Sequence, residues 1–197
     1  MEQIELLFGW IGAGLIAIGV YNAREKVWRW LRHGTRVIIE IPYPELGVIL
    51  LMIIGSLFVI MSMFMHLFSH SPEVSFAVLT IFIYRLASHL YIKWLSDSDQ
   101  PLHYLSEEWQ VILWTGFSGI LPSLIPEGSI VYSLKDFFIY IALGIGILRW
   151  LNGLFKSVPF MIKYHIFYLI YLCNVELYPL LGIWSLSVST DLFAFNP

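Results

Sequence analysis

LGVILLMIIGSLFVIMSMFM, Leu46 to Met65, contains no ionisable side chain. An α-helix needs about 20 mostly apolar residues to cross a hydrocarbon core of about 30 Å. This stretch meets that requirement unaided, so it reads as a membrane span. Working outward from it, the apolar run extends over Leu46–Phe68, and five further stretches have the same character: Ile4–Tyr21, Val74–Leu95, Trp109–Ile125, Ile130–Trp150 and Pro159–Ser187. The fourth in chain order is the shortest and carries Pro122 and Pro126 near its far end, which predicts a kink or an incomplete crossing. The last is long enough to tilt, or to open with an interfacial turn at Pro159 to Lys163. Strict two-residue alternation is absent, and an open sheet edge cannot sit in lipid. The expected fold is therefore all-α, a single polytopic transmembrane helix bundle of about six spans over residues 1–197.

Composition points the same way. Of the 197 residues, 58% are hydrophobic and 13% charged, against about a quarter charged in ordinary globular domains. A soluble form would expose large apolar patches to water, which soluble monomers avoid. The formal net charge of −3 and the lack of a basic, aromatic-interleaved platform argue against nucleic acid as a partner. Cys173 is the single cysteine, which excludes an internal disulfide and a cysteine metal cluster. The N-terminal segment opens with Glu2 and Glu5 and places its bases after the apolar stretch, the reverse of a secretory signal. It reads as a retained anchor.

The bases set the orientation. Arg24, Lys26, Arg29, Arg32, Arg36, Lys93, Arg149, Lys156 and Lys163 all fall on one side of a six-span arrangement, whereas Lys135 falls on the other and Arg85 lies inside a span. Cytoplasmic loops are enriched in Lys and Arg, so both termini are expected on the far side of the membrane. The segment from Asn22 to Arg36 mixes those first five bases with Val27, Trp28, Trp30 and Leu31. Such a stretch can lie flat at the headgroups and attract anionic lipid. The plainer reading is a set of topology-fixing charges with interfacial tryptophans.

Ionisable groups at membrane depth are functional-site candidates by default. Arg85 and Glu176 lie near the middles of the third and sixth expected spans, at depths of about 15 and about 18 Å by helical rise. An unpaired charge there costs several kcal/mol, and Arg does not readily give up its proton. The two are expected to pair, either as a packing ion pair or as part of a substrate or proton site. His89 and Lys93 continue the stripe of Arg85 at steps of four, with His89 read as a satisfied interior histidine and Lys93 as snorkelling. His165, Tyr168, Leu172 and Glu176 share a face of the sixth span. Haem ligation by His89 and His165 needs facing residues at one depth and has no sequence signature. No H-E-x-x-H zinc motif, nucleophile elbow or phosphate loop occurs, so no metal or cofactor is expected. His66, His70 and His103 sit at span ends or in loops and read as solvated. Gly9, Gly12, Ala13, Gly116, Gly119, Gly144 and Gly146 predict close helix approach. Pro179 frees a backbone carbonyl one turn back, near Glu176, a feature shared with broken transporter helices.

The run HIFYLIYLCNVELYPLL, His165 to Leu181, resembles the closing motif of an uncharacterised family of multi-pass membrane proteins of Bacteroidota, a domain of unknown function. Tyr171, Leu172, Cys173, Glu176 and Pro179 carry the motif. GILPSLIP, Gly119 to Pro126, is similar to the family's internal glycine and proline pattern. The resemblance covers roughly the third to sixth spans. It implies the inner membrane of a Gram-negative envelope and no particular reaction. Three functions fit the sequence: a non-enzymatic envelope assembly, scaffold or accessory subunit partnered by other membrane proteins; a small transporter or proton-coupled module built on Arg85 and Glu176; and an intramembrane enzyme on a lipid-soluble substrate, with Glu176 and His165 as acid and base. Short connections, with no room for a soluble catalytic domain, favour the first.

Overall fold

The computed structural model describes residues 2–33, 43–68, 80, 84, 100–126 and 128–163. Among them every regular element is helical: α1 (Glu2–Asn22), α2 (Glu25–His33), α3 (Tyr43–Leu67), α4 (Gln100–Ser123), a 3-10 turn (Tyr132–Leu134) and α5 (Lys135–Lys163). The fold is all-α, as the apolar runs predict. Among the described residues, two helices are long and apolar enough to cross a membrane, α1 over Gln3–Asn22 and α3 over Glu45–Leu67. The expected spans Val74–Leu95 and Pro159–Ser187 lie outside the described residues, apart from Thr80, Tyr84 and the backbone of 159–163.

Two boundaries differ from the sequence reading. α4 begins at Gln100, not at Trp109, because Leu, Gln and Glu in its opening turns are good helix formers. Pro101 falls in the first turn, where its missing N–H would have no intrahelical partner in any case. Pro122 lies inside this helix, within its last turn. α5 starts at Lys135 and runs for 29 residues to Lys163. The Pro159 to Lys163 segment, read as an opening turn of a sixth span, is thus the end of α5. Apolar spacing alone does not register a helix that continues past its apolar stretch.

α3 is the central helix, with α1 packed on one side and α4 on the other, and α5 packs on α4. Ile49, Met52 and Val59 of α3, Leu113 of α4 and Ile139 of α5 are fully buried in this core. Backbone proximity between α1 and α3 is set by facing glycines. A Cβ placed on Gly12 would stand 2.6 Å from the Gly55 carbonyl oxygen and 2.9 Å from the Val59 nitrogen. A Cβ on Gly9 would stand 2.5 Å from the Ser123 carbonyl oxygen, the point where α1 meets α4. Gly116 of α4 lies against Ser56 of α3, and Gly146 of α5 against Thr115 of α4. Such close approach brings the helix backbones into direct dispersion contact. Gly144 is an exception to the expected pattern: no described atom lies within 4 Å of its Cβ position, so it makes no close approach there.

The contrast between two glycines on one helix tests this packing. Gly12→Ala meets backbone atoms that cannot swing away, and lowers stability by about 1–3 kcal/mol. Gly14, with no atom of the described residues within 4 Å of its Cβ position, tolerates Ala with a gain of about 0.5–1 kcal/mol. Apparent melting midpoints of the two variants in one detergent read the difference.

Candidate functional site

The α4–α5 connection turns tightly. Gly128 has φ +81°, a left-handed conformation open to glycine without a Cβ penalty. The Tyr132 N–H donates to the Ser129 carbonyl at 3.0 Å and the Leu134 N–H to the Val131 carbonyl at 3.0 Å. This turn delivers Lys135 to the first position of α5 with its side chain directed inward.

There the Lys135 ammonium donates to Glu5 Oε1 at 2.6 Å and to the Ile125 carbonyl at 3.2 Å. Both ends of the pair are buried, with side-chain exposures of 4% for Lys135 and 9% for Glu5. His66, in the last turn of α3, completes the cluster. Its Nδ1 lies 3.4 Å from Glu5 Oε1 and its Nε2 2.8 Å from Asp136 Oδ1. The Tyr132 ring stands edge-on to the imidazole at 5.9 Å, and its face lies 5.5 Å from the Lys135 ammonium, within cation–π range. The cluster therefore joins the start of α1, the end of α3, the end of α4 and the start of α5.

Local helix electrostatics favour these positions. Glu5 and Asp136 lie near helix N-termini, where negative charge is stabilised, and His66 lies near a C-terminus. The chemistry available is that of a graded chain. Asp136 is 65% exposed, His66 is 13% exposed, and Glu5 lies beneath them. An imidazole between two carboxylates donates to one of them when neutral and to both when cationic. The four groups sum to one negative charge in the first state and to zero in the second. No group of three or more His, Cys, Asp or Glu residues suited to a metal ion occurs among the described residues.

The sequence reading missed this cluster. His66 is not solvated; it is enclosed because α1 and α5 both begin over it. Glu5 is not merely a residue at odds with a signal peptide, and Lys135 is not a stray base. The signal was present: all three sit at span ends on the same side of the expected arrangement, and matching charges by depth would have paired them. Arg85, His89, His165, Tyr168 and Glu176 lie outside the described residues, as do Arg36 and the side chain of Arg32. Arg24, Lys26 and Arg29 are described, and all three are exposed.

Removing one partner of the buried pair strands the other. Lys135→Met is expected to lower stability by about 3–5 kcal/mol. The double variant Glu5→Gln with Lys135→Met recovers most of that loss. A thermodynamic cycle over the wild type, both single variants and the double variant measures the coupling.

No family model matches the chain, and neither a curated protein nor a solved structure shows significant similarity to it.

Proposed function

We propose that the chain is a multi-pass protein of a bacterial cytoplasmic membrane, crossing about six times, that serves as a non-enzymatic assembly, scaffold or accessory component of the envelope. The observation that supports this most is that the buried Lys135 ammonium and the buried Glu5 carboxylate are bonded to each other. Lys135 and His66 both meet Glu5 and tie the helix ends together, while glycine contacts close the space between the helix axes. That is the construction of a rigid support. Large apolar side chains on the outward faces of α1 and α5, among them Leu7, Trp10, Phe137, Tyr140 and Phe155, are exposed and suit lipid or neighbouring membrane helices. In this reading the Lys135 end faces away from the cytoplasm and the α2 end faces it.

A second reading, a proton-coupled module, draws on the order Asp136, His66, Glu5, which steps from an exposed carboxylate to a buried one. One experiment separates the two. In the native host, the chain stays in the membrane pellet after alkaline carbonate extraction, and Glu5→Gln with Lys135→Met supports the envelope phenotype in proportion to its protein level. Release by carbonate overturns the membrane reading. A lost phenotype at wild-type protein level overturns the scaffold in favour of the proton-coupled module.

A further inference from the structure

α2 is strongly two-sided, and the structure shows where its apolar side goes. Val27 and Trp30 are 0% exposed and Leu31 is 4% exposed. The Trp30 carbonyl is one of the last four of the helix, which have no intrahelical donor. The Gln110 side-chain amide of α4 supplies one at 2.9 Å, from a buried position. α2 is thus capped and seated by the protein, and its apolar face is unavailable for insertion into lipid. What remains outward is Arg24, Glu25, Lys26, Trp28 and Arg29. Arg29 is tied to Glu25 at 2.9 Å, the one ion pair on this helix among the described residues. Arg24, just before the helix, and Lys26, in its first turn, are the exposed cations here with no ion pair among the described residues.

Depth is fixed by connectivity. α1, a candidate span, ends at Asn22, and α2 begins at Glu25. Only Ala23 and Arg24 intervene, so α2 lies where that span leaves the hydrocarbon. Trp28 is 37% exposed at the level where tryptophan rings favour the headgroup zone.

We infer that the outward side of α2, with Arg24 and Lys26 at its start and Trp28 after them, is a binding surface for anionic phospholipid headgroups of the surrounding bilayer. It rests on the membrane reading above. The lipid phosphate meets the two cations while the indole stays among the glycerol and upper acyl groups. Because Gln110 and the buried face hold the helix in place, the cations are presented without the ordering cost that a free amphipathic segment bears on binding. Glu25 tempers the surface by occupying Arg29.

The test uses the full chain in nanodiscs of equal phosphatidylglycerol and phosphatidylcholine, with retained lipids counted by native mass spectrometry after release. The wild type retains phosphatidylglycerol preferentially. Arg24→Gln and Lys26→Gln each reduce that preference roughly fivefold. Glu25→Gln, which frees Arg29, raises it. Replacing chloride by inorganic phosphate at constant ionic strength leaves the retained lipid unchanged. A double Arg24→Gln, Lys26→Gln variant with wild-type preference overturns the inference, and so does displacement of the lipid by free phosphate. A chain that extracts with carbonate fails the membrane reading first, so the two failures are distinguishable.

Discussion

An ammonium group inside an apolar bundle must be matched where it lies, and Lys135 is 4% exposed at its side chain. Its partner is supplied from 130 residues away in the chain, which makes the match a constraint on the whole fold. The start of α1 has to arrive at the start of α5, with the end of α3 between them. Once Glu5, His66 and Lys135 meet, the directions of α1, α3, α4 and α5 relative to one another follow, because each contributes a known terminus to the same end. A pair of this kind adds little net stability over an apolar substitute, but breaking it on one side is costly. Its value lies in rejecting other arrangements of helices that are nearly featureless in their apolar faces.

The glycine contacts act in the orthogonal direction. Charges at the end fix which helices meet and how they are oriented, whereas Gly12, Gly55, Gly9 and Gly116 fix how near their axes come. Close approach leaves polar side chains within the packed region that have no hydrogen-bond partner among the described residues, such as the Ser56 and Ser62 hydroxyls. Elsewhere hydroxyls fold back on their own helix, Thr115 to the Val111 carbonyl at 2.7 Å and Ser118 to the Trp114 carbonyl at 2.7 Å. Ser123 instead reaches across to the Val59 carbonyl at 3.4 Å, beside the point where Gly9 packs. Small residues thus set both the distance between helices and the places where a backbone carbonyl is met from outside its own helix.

Much of the helical content was legible because length and apolar character are sufficient to specify it. Leu46–Met65 has no competing reading, and the first apolar stretch likewise became α1. The failures share one cause. A hydropathy reading sees where a helix is apolar, not where its hydrogen bonding stops, so the polar opening of α4 from Gln100 and the run of α5 to Lys163 were invisible to it. His66 was misjudged for a related reason. Its position at a helix end suggests water, but exposure there is decided by what the neighbouring helix ends bring, and that is tertiary information. The rule of matching opposite charges by depth was applied only to the interiors of the expected spans, where it led to Arg85 and Glu176, both outside the described residues. Extended to the ends, it reaches Glu5 and Lys135.

The same pair bears on how the bases are counted. Taken as a bare tally, Lys135 is the exception to an otherwise one-sided distribution of Lys and Arg. The topology rule concerns bases in short loops beside the spans. Lys135 lies instead within a folded interior, bonded to a carboxylate, and the pair together carries no net charge. At the opposite end Arg24, Lys26 and Arg29 are all exposed, and Arg149 lies over the Trp114 ring at 5.0 Å, one helical turn from the Gln110 that seats α2. Among the described residues, the exposed positive charge therefore lies at the α2 end, and Lys135 at the other end is paired. Under the membrane reading, the exposed cations that meet headgroups are, among the described residues, those at the α2 end.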